Sequence, residues 1–86
     1  MITGINTILK HDGKEYHLQA EDLGEEATAY EVRVYDGGTV VWMKRMPYDD
    51  LEAQDLPKPE RDQALRAMME KTLRTVGAAI SKGKIG

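Results

Sequence analysis

Two hydrophobic periods divide the chain. Apolar residues alternate with polar ones through the first half and recur at helical spacing in the last third. Residues 14–21, Lys-Glu-Tyr-His-Leu-Gln-Ala-Glu, place Tyr16, Leu18 and Ala20 on one face of a strand and Glu15, His17, Gln19 and Glu21 on the other. Just upstream, Asp12-Gly13 suits a type I′ turn, which needs positive φ at both central positions. With that pair in the loop, residues 4–10 form the preceding strand and the register is fixed. His11 pairs with Lys14. Leu9, Thr7 and Ile5 oppose Tyr16, Leu18 and Ala20 on the apolar face, while Lys10, Ile8 and Asn6 oppose Glu15, His17 and Gln19.

A polar connection over 22–27 leads to a third strand at 28–35, with Tyr30, Val32 and Val34 on one face and Glu31, Arg33 and Tyr35 on the other. Asp36-Gly37-Gly38 marks a second hairpin, and a fourth strand runs over 39–46 until Pro47, which has no ladder donor. Here two registers stand. A two-residue loop at Asp36-Gly37 puts Val41 and Met43 in the core with Val32 and Tyr30. A three-residue loop with a glycine bulge puts Val40 and Trp42 there instead. The choice decides whether Trp42 is core or exposed.

Residues 47–58 form the longest connection, with room for one helical turn. Beyond it Leu65, Met68, Met69, Leu73, Val76, Ala79 and Ile80 form one apolar stripe on a helix over 59–82. Pro59 suits a first turn, Glu60 and Asp62 complement the positive end of the dipole, and Gly83 is a natural stop. Such a helix is about 36 Å long, against about 25 Å for the strands. The expectation is therefore an overhang, whose last turns fray or pack elsewhere on the smooth surface of Gly77-Ala78-Ala79. The fold class is α+β: a four-stranded antiparallel sheet of two β-hairpins with one long C-terminal helix packed on one face, as a single ββββα domain over 1–86.

At 86 residues the chain makes one domain. A domain of this size buries only about 60–65% of its unfolded surface, which leaves a thin stability margin. The sequence holds no cysteine, so disulfides are excluded and self-association becomes the natural supplement. Met1-Ile2-Thr3-Gly4-Ile5-Asn6 lacks a basic n-region and an apolar run, and no stretch has a membrane-spanning length of apolar residues. A cytoplasmic protein is expected. Net charge is −3, which disfavours a dedicated nucleic-acid binder. Asp49, Asp50, Glu52 and Asp55 cluster, whereas Lys71, Arg74, Lys82 and Lys84 follow Glu70 without an acid; this polarity reads as two solvated ends of one domain.

Motifs for chemistry are sparse. His17, Gln19 and Glu21 share a strand face but supply at most two metal ligands; the nearest further candidates are His11 and Asp22, and His11, at the hairpin end, is poorly placed. Glu21 and Asp22 are adjacent on a strand and point apart, so they do not form an acid–base pair. The one serine, Ser81, sits near the helix end, and no phosphate-binding glycine motif occurs. No catalytic residue, metal site or cofactor is expected, and the chain is not read as an enzyme. Arg33, Lys44 and Arg45 with Tyr35 and Trp42 could form a stacking platform for nucleic acid, opposed by Glu15, Glu21 and Glu31.

Gly4-Ile5-Asn6-Thr7, Tyr16 to Gly24, Val34-Tyr35-Asp36-Gly37-Gly38 and Lys44-Arg45-Met46-Pro47-Tyr48 resemble a family of short bacterial proteins with no assigned function. The likeness covers roughly the first fifty residues. It implies a compact bacterial domain and brings no activity, cofactor or site. The reading that fits most of the sequence is a cytoplasmic interaction module, a homodimer or a binder of another protein. One sheet face has no helix to cover it, and strand edges invite pairing. The candidate surface is Ile8, His17, Gln19, Arg33, Tyr35 and Trp42. The alternative is a weak nucleic-acid or small-ligand binder on the same open face.

Overall fold

The computed structural model describes residues 4–24 and 26–84. Met1, Ile2 and Thr3, where the reading of the N-terminus begins, and Glu25 in the polar connection lie outside the described residues. Four strands, β1 (Gly4–His11), β2 (Lys14–Asp22), β3 (Ala29–Asp36) and β4 (Thr39–Pro47), precede a short helix α1 (Asp49–Glu52) and a long helix α2 (Lys58–Ser81). The sheet is antiparallel in the order β1-β2-β3-β4. The two expected hairpins thus lie side by side, and α2 packs across β1, β2 and β3.

The first hairpin has the register that turn chemistry and alternation dictate, from His11 opposite Lys14 to Ile5 opposite Ala20. Asp12 and Gly13 have φ of 55° and 78°, as a type I′ turn requires. The second hairpin follows neither expected register. Its loop is Gly37-Gly38, with φ of 59° and 86°, and Asp36 pairs with Thr39. Tyr35 then opposes Val40, but an irregularity leaves Val41 without a partner, so Val34 opposes Trp42. Without that extra residue Val41 would face Val34 and Trp42 would lie on the open face. The bulge reverses the two. Trp42 packs against the core, as the bulged alternative had it, whereas Val40 lies on the opposite face, contrary to that alternative.

The core lies between the helix side of the sheet and α2. Tyr16, Leu18, Ala20, Tyr30, Val32 and Val34 meet Leu65, Met69, Leu73, Val76 and Ile80, all buried. Tyr30 ties the layers together: its hydroxyl lies 2.7 Å from Thr72 Oγ1. The expected overhang at the C-terminal end of α2 does not occur. Ile80 is 1% exposed, and the end is closed by a Schellman motif in which the Lys84 amide donates to Ala79 O and the Gly83 amide to Ile80 O. The extra helix length lies at the other end. There Leu65 and Arg61 are covered by the connection after β4, whose Tyr48 and Leu51 are buried.

Because the last turn of α2 is core, Ile80→Ala should lower global stability by about 2–5 kcal/mol in urea denaturation, with a single transition. A loss under about 0.5 kcal/mol, the range of ordinary surface substitutions, would mean a frayed end instead.

Candidate interaction surface

With α2 on one side, the sheet's other face is open, and the registers arrange its side chains in cross-strand rows. One row is Ile8, His17, Tyr35 and Val40. The next is Asn6, Gln19, Arg33 and Met43, followed by Gly4, Glu21, Glu31 and Arg45. Five of the six expected surface residues therefore come together. Trp42 does not: it lies on the helix side of β4, and Lys44 shares that side opposite Val32. The expected stacking platform is split by the same bulge. Met43 and Val40 take the place of Trp42 on the open face, 57% and 46% exposed, at the sheet edge opposite Ile8, which is 56% exposed.

The charges on this face satisfy one another. Arg33 Nη2 and Nε lie 2.6 and 2.7 Å from Glu31 Oε1. Glu21 lies 3.5 Å from Arg33, and Arg45 4.0 Å from Glu31. Burial works against the Arg33 charge, but the hydrogen bond and attraction from Glu31 outweigh it and raise its pKa. A guanidinium held this way is poorly disposed to bind phosphate. His17 Nε2 lies 3.2 Å from Glu15 in an exposed pair of small energetic weight. Ile8, His17, Gln19 and Tyr35 line a shallow depression of about 500 Å³.

On the helix side, a second concavity of about 560 Å³ runs between β1 and the C-terminal half of α2. Ile5 and Leu9 on the strand face Leu73, Gly77 and Ala78 on the helix. A methyl on Gly77 would sit 3.9 Å from Leu9 Cδ2, an ordinary contact distance, so the glycine leaves the groove wider than packing demands. Apolar surface thus flanks β1 on both faces. The small-residue run Gly77-Ala78-Ala79 was the one sequence signal of this groove.

A further cluster was not foreseen. Tyr48, 1% exposed, donates from its hydroxyl to Asp22 Oδ1 at 2.6 Å and accepts from Arg61 Nη2 at 3.3 Å. The Arg61 guanidinium also donates to Glu52 Oε1 at 2.7 Å and to Asp62 Oδ1 at 3.0 Å, and stacks 5.4 Å from the Tyr48 ring centroid. Burial opposes the Arg61 charge; its hydrogen bonds to Glu52 and Asp62 more than compensate and raise its pKa. The Arg61 hydrogen bond lowers that of Asp62. The sequence did hold a signal: Arg61 stands four residues before Leu65, on the line of the buried stripe. The cluster joins the end of β2 to the start of α2. Burial and the Asp22 hydrogen bond push the Tyr48 phenol up to about 12, so at neutral pH it is neither nucleophile nor base. The arrangement is a clamp.

Among the described residues no group of histidine, cysteine, aspartate and glutamate could hold a metal ion, and no helix is long and apolar enough to cross a membrane. Comparison with family models, curated proteins and solved structures finds no match to this chain.

The clamp has a pH signature. The Tyr48 pKa is raised from about 10 in the unfolded chain to about 12 in the fold. Its stabilising contribution is complete below pH 10 and is lost as pH rises through 12. Chemical denaturation from pH 8 to 12 should show this loss, on the order of 2 kcal/mol. Tyr48→Phe should be less stable at pH 8 and lack that segment of the slope. Parallel pH profiles for the two proteins would contradict the assignment.

Proposed function

We propose that this chain is a small interaction module that acts by associating with a second copy of itself, in a bacterial cytoplasm. One observation carries the reading: apolar side chains flank β1 on both faces, with Ile8 on the open face and the Ile5–Leu9 groove on the helix face, while Val40, Val41 and Met43 stay exposed on β4 at the other edge. A single α-helix layer covers only one side of a thin domain, and a second subunit would bury both patches at once. A cysteine-free sequence loses nothing in a reducing compartment, and the resemblance to short bacterial proteins agrees with that setting.

The open-face depression beside Tyr35 and His17 supports a second reading, a small-ligand site. A nucleic-acid role draws less support, because Arg33 is committed to Glu31 and Trp42 lies on the other side of the sheet.

Light scattering on a sizing column, over a hundredfold range of concentration, tests the main reading. The mass should approach twice 9.7 kDa at high concentration and fall on dilution. A mass fixed at 9.7 kDa throughout would overturn it and bring ligand screens forward.

A further inference from the structure

The sheet has two edges, and they are built differently. β4 carries a bulge at Val41, exposed Lys44 and Arg45, and ends in Pro47. Each of these is a device that discourages another strand from pairing. β1 runs from Gly4 to His11 in unbroken register with β2 and has neither bulge nor proline. Its turn fixes which backbone groups are free. In a two-residue hairpin the residues flanking the loop, His11 and Lys14, exchange both hydrogen bonds. Alternation then directs the amides and carbonyls of Leu9, Thr7 and Ile5 toward β2. Those of Gly4, Asn6, Ile8 and Lys10 point outward.

We infer that β1 pairs antiparallel with β1 of a second copy about a two-fold axis at Thr7, making one continuous sheet across the dimer. This rests on the self-association proposed above and names its seam. Among the described residues, only the register centred on Thr7 satisfies every outward group, because it pairs Gly4 with Lys10 and Asn6 with Ile8 in both directions. Shifting the axis to Asn6 leaves Lys10 without a partner among the described residues, and shifting it to Ile8 sets Gly4 against the Asp12 turn. The same register sets Ile5 against the second copy's Leu9 on the helix side, where both line the groove beside α2. On the open face it places the second copy's Lys10 in the row of Gly4 and Glu21. Gly4 has no side chain, so that ammonium can reach across about 10 Å of sheet toward the half-exposed Glu21 carboxylate. The seam is thus complementary in hydrogen bonds, in apolar contact and in charge.

The absence of native cysteine makes a direct test clean. Thr7 meets its own symmetry mate at a non-hydrogen-bonded position, where Cα atoms lie about 4.5 Å apart, within disulfide range. Thr7→Cys should form a covalent dimer on mild oxidation, while Val40→Cys on the open face should not. Asn6→Pro removes an outward amide and no internal bond. It should weaken dimerisation about tenfold or more with Trp42 fluorescence unchanged. A dimer that cross-links through Val40→Cys and not Thr7→Cys would overturn this seam yet leave self-association standing. A concentration-independent monomer would remove both.

Discussion

One helix has to bury a four-stranded sheet, and it is too narrow to do so. An α-helix with side chains is about 10–12 Å across, while four strands at about 4.8 Å spacing span more. Helix α2 settles over β1, β2 and β3. The consequences spread outward from that placement. Buried side chains concentrate on the two central strands, β2 and β3, where Tyr16, Leu18, Ala20, Tyr30, Val32 and Val34 are 0–4% exposed. Ile5 and Leu9 on β1, and Trp42 and Met46 on β4, are left half-covered at the rims. The other face of the sheet receives no layer from the described residues.

The position of α2 is set at its two ends by different means. At its C-terminal end the constraint is apolar, with Ile80 and Val76 buried and the chain closed off at Gly83. At its N-terminal end it is polar: Arg61 reaches Tyr48, and Tyr48 reaches Asp22 at the end of β2. A buried cation is favourable only when its donors are met, and Glu52 and Asp62 meet them. Asp22 Oδ1 accepts from both the Tyr48 hydroxyl and the Gly24 amide, while its second oxygen is buried with no hydrogen-bond partner among the described residues. The clamp therefore anchors the N-terminal end of α2 to the end of β2, opposite the end that borders the groove beside β1.

How much of this was legible in the sequence depended on whether a feature repeats locally. The first hairpin was fully readable, because Asp12-Gly13 and the alternation at Tyr16, Leu18 and Ala20 gave the same register independently. The stripe on α2 was readable for the same reason, as was its stop at Gly83. The second hairpin was not. Three turn-forming residues in a row allow more than one loop, and the bulge at Val41 has no signature of its own, so the face of Trp42 was open until strand pairing was known. The clamp was hidden because its members, Asp22, Tyr48 and Arg61, lie far apart in the chain and within no period. Of the candidate surface, Ile8, His17, Gln19, Arg33 and Tyr35 followed from the readable registers. The groove beside β1 did not, since it depends on where the helix sits.

The difference between the edges is what the proposed self-association rests on. A strand that is regular, flanked by apolar surface on both faces and free of bulge and proline is a template for its own kind. Hydrogen exchange at β1, followed by NMR at low and high protein concentration, reads this most directly. Pairing between two copies predicts that the amides of Asn6 and Ile8, which point away from β2, become as protected as those of Thr7 and Leu9 when concentration rises. Exchange of Asn6 and Ile8 that stays fast at every concentration, beside protected Thr7 and Leu9, would show an edge that remains open to water and would contradict assembly through β1.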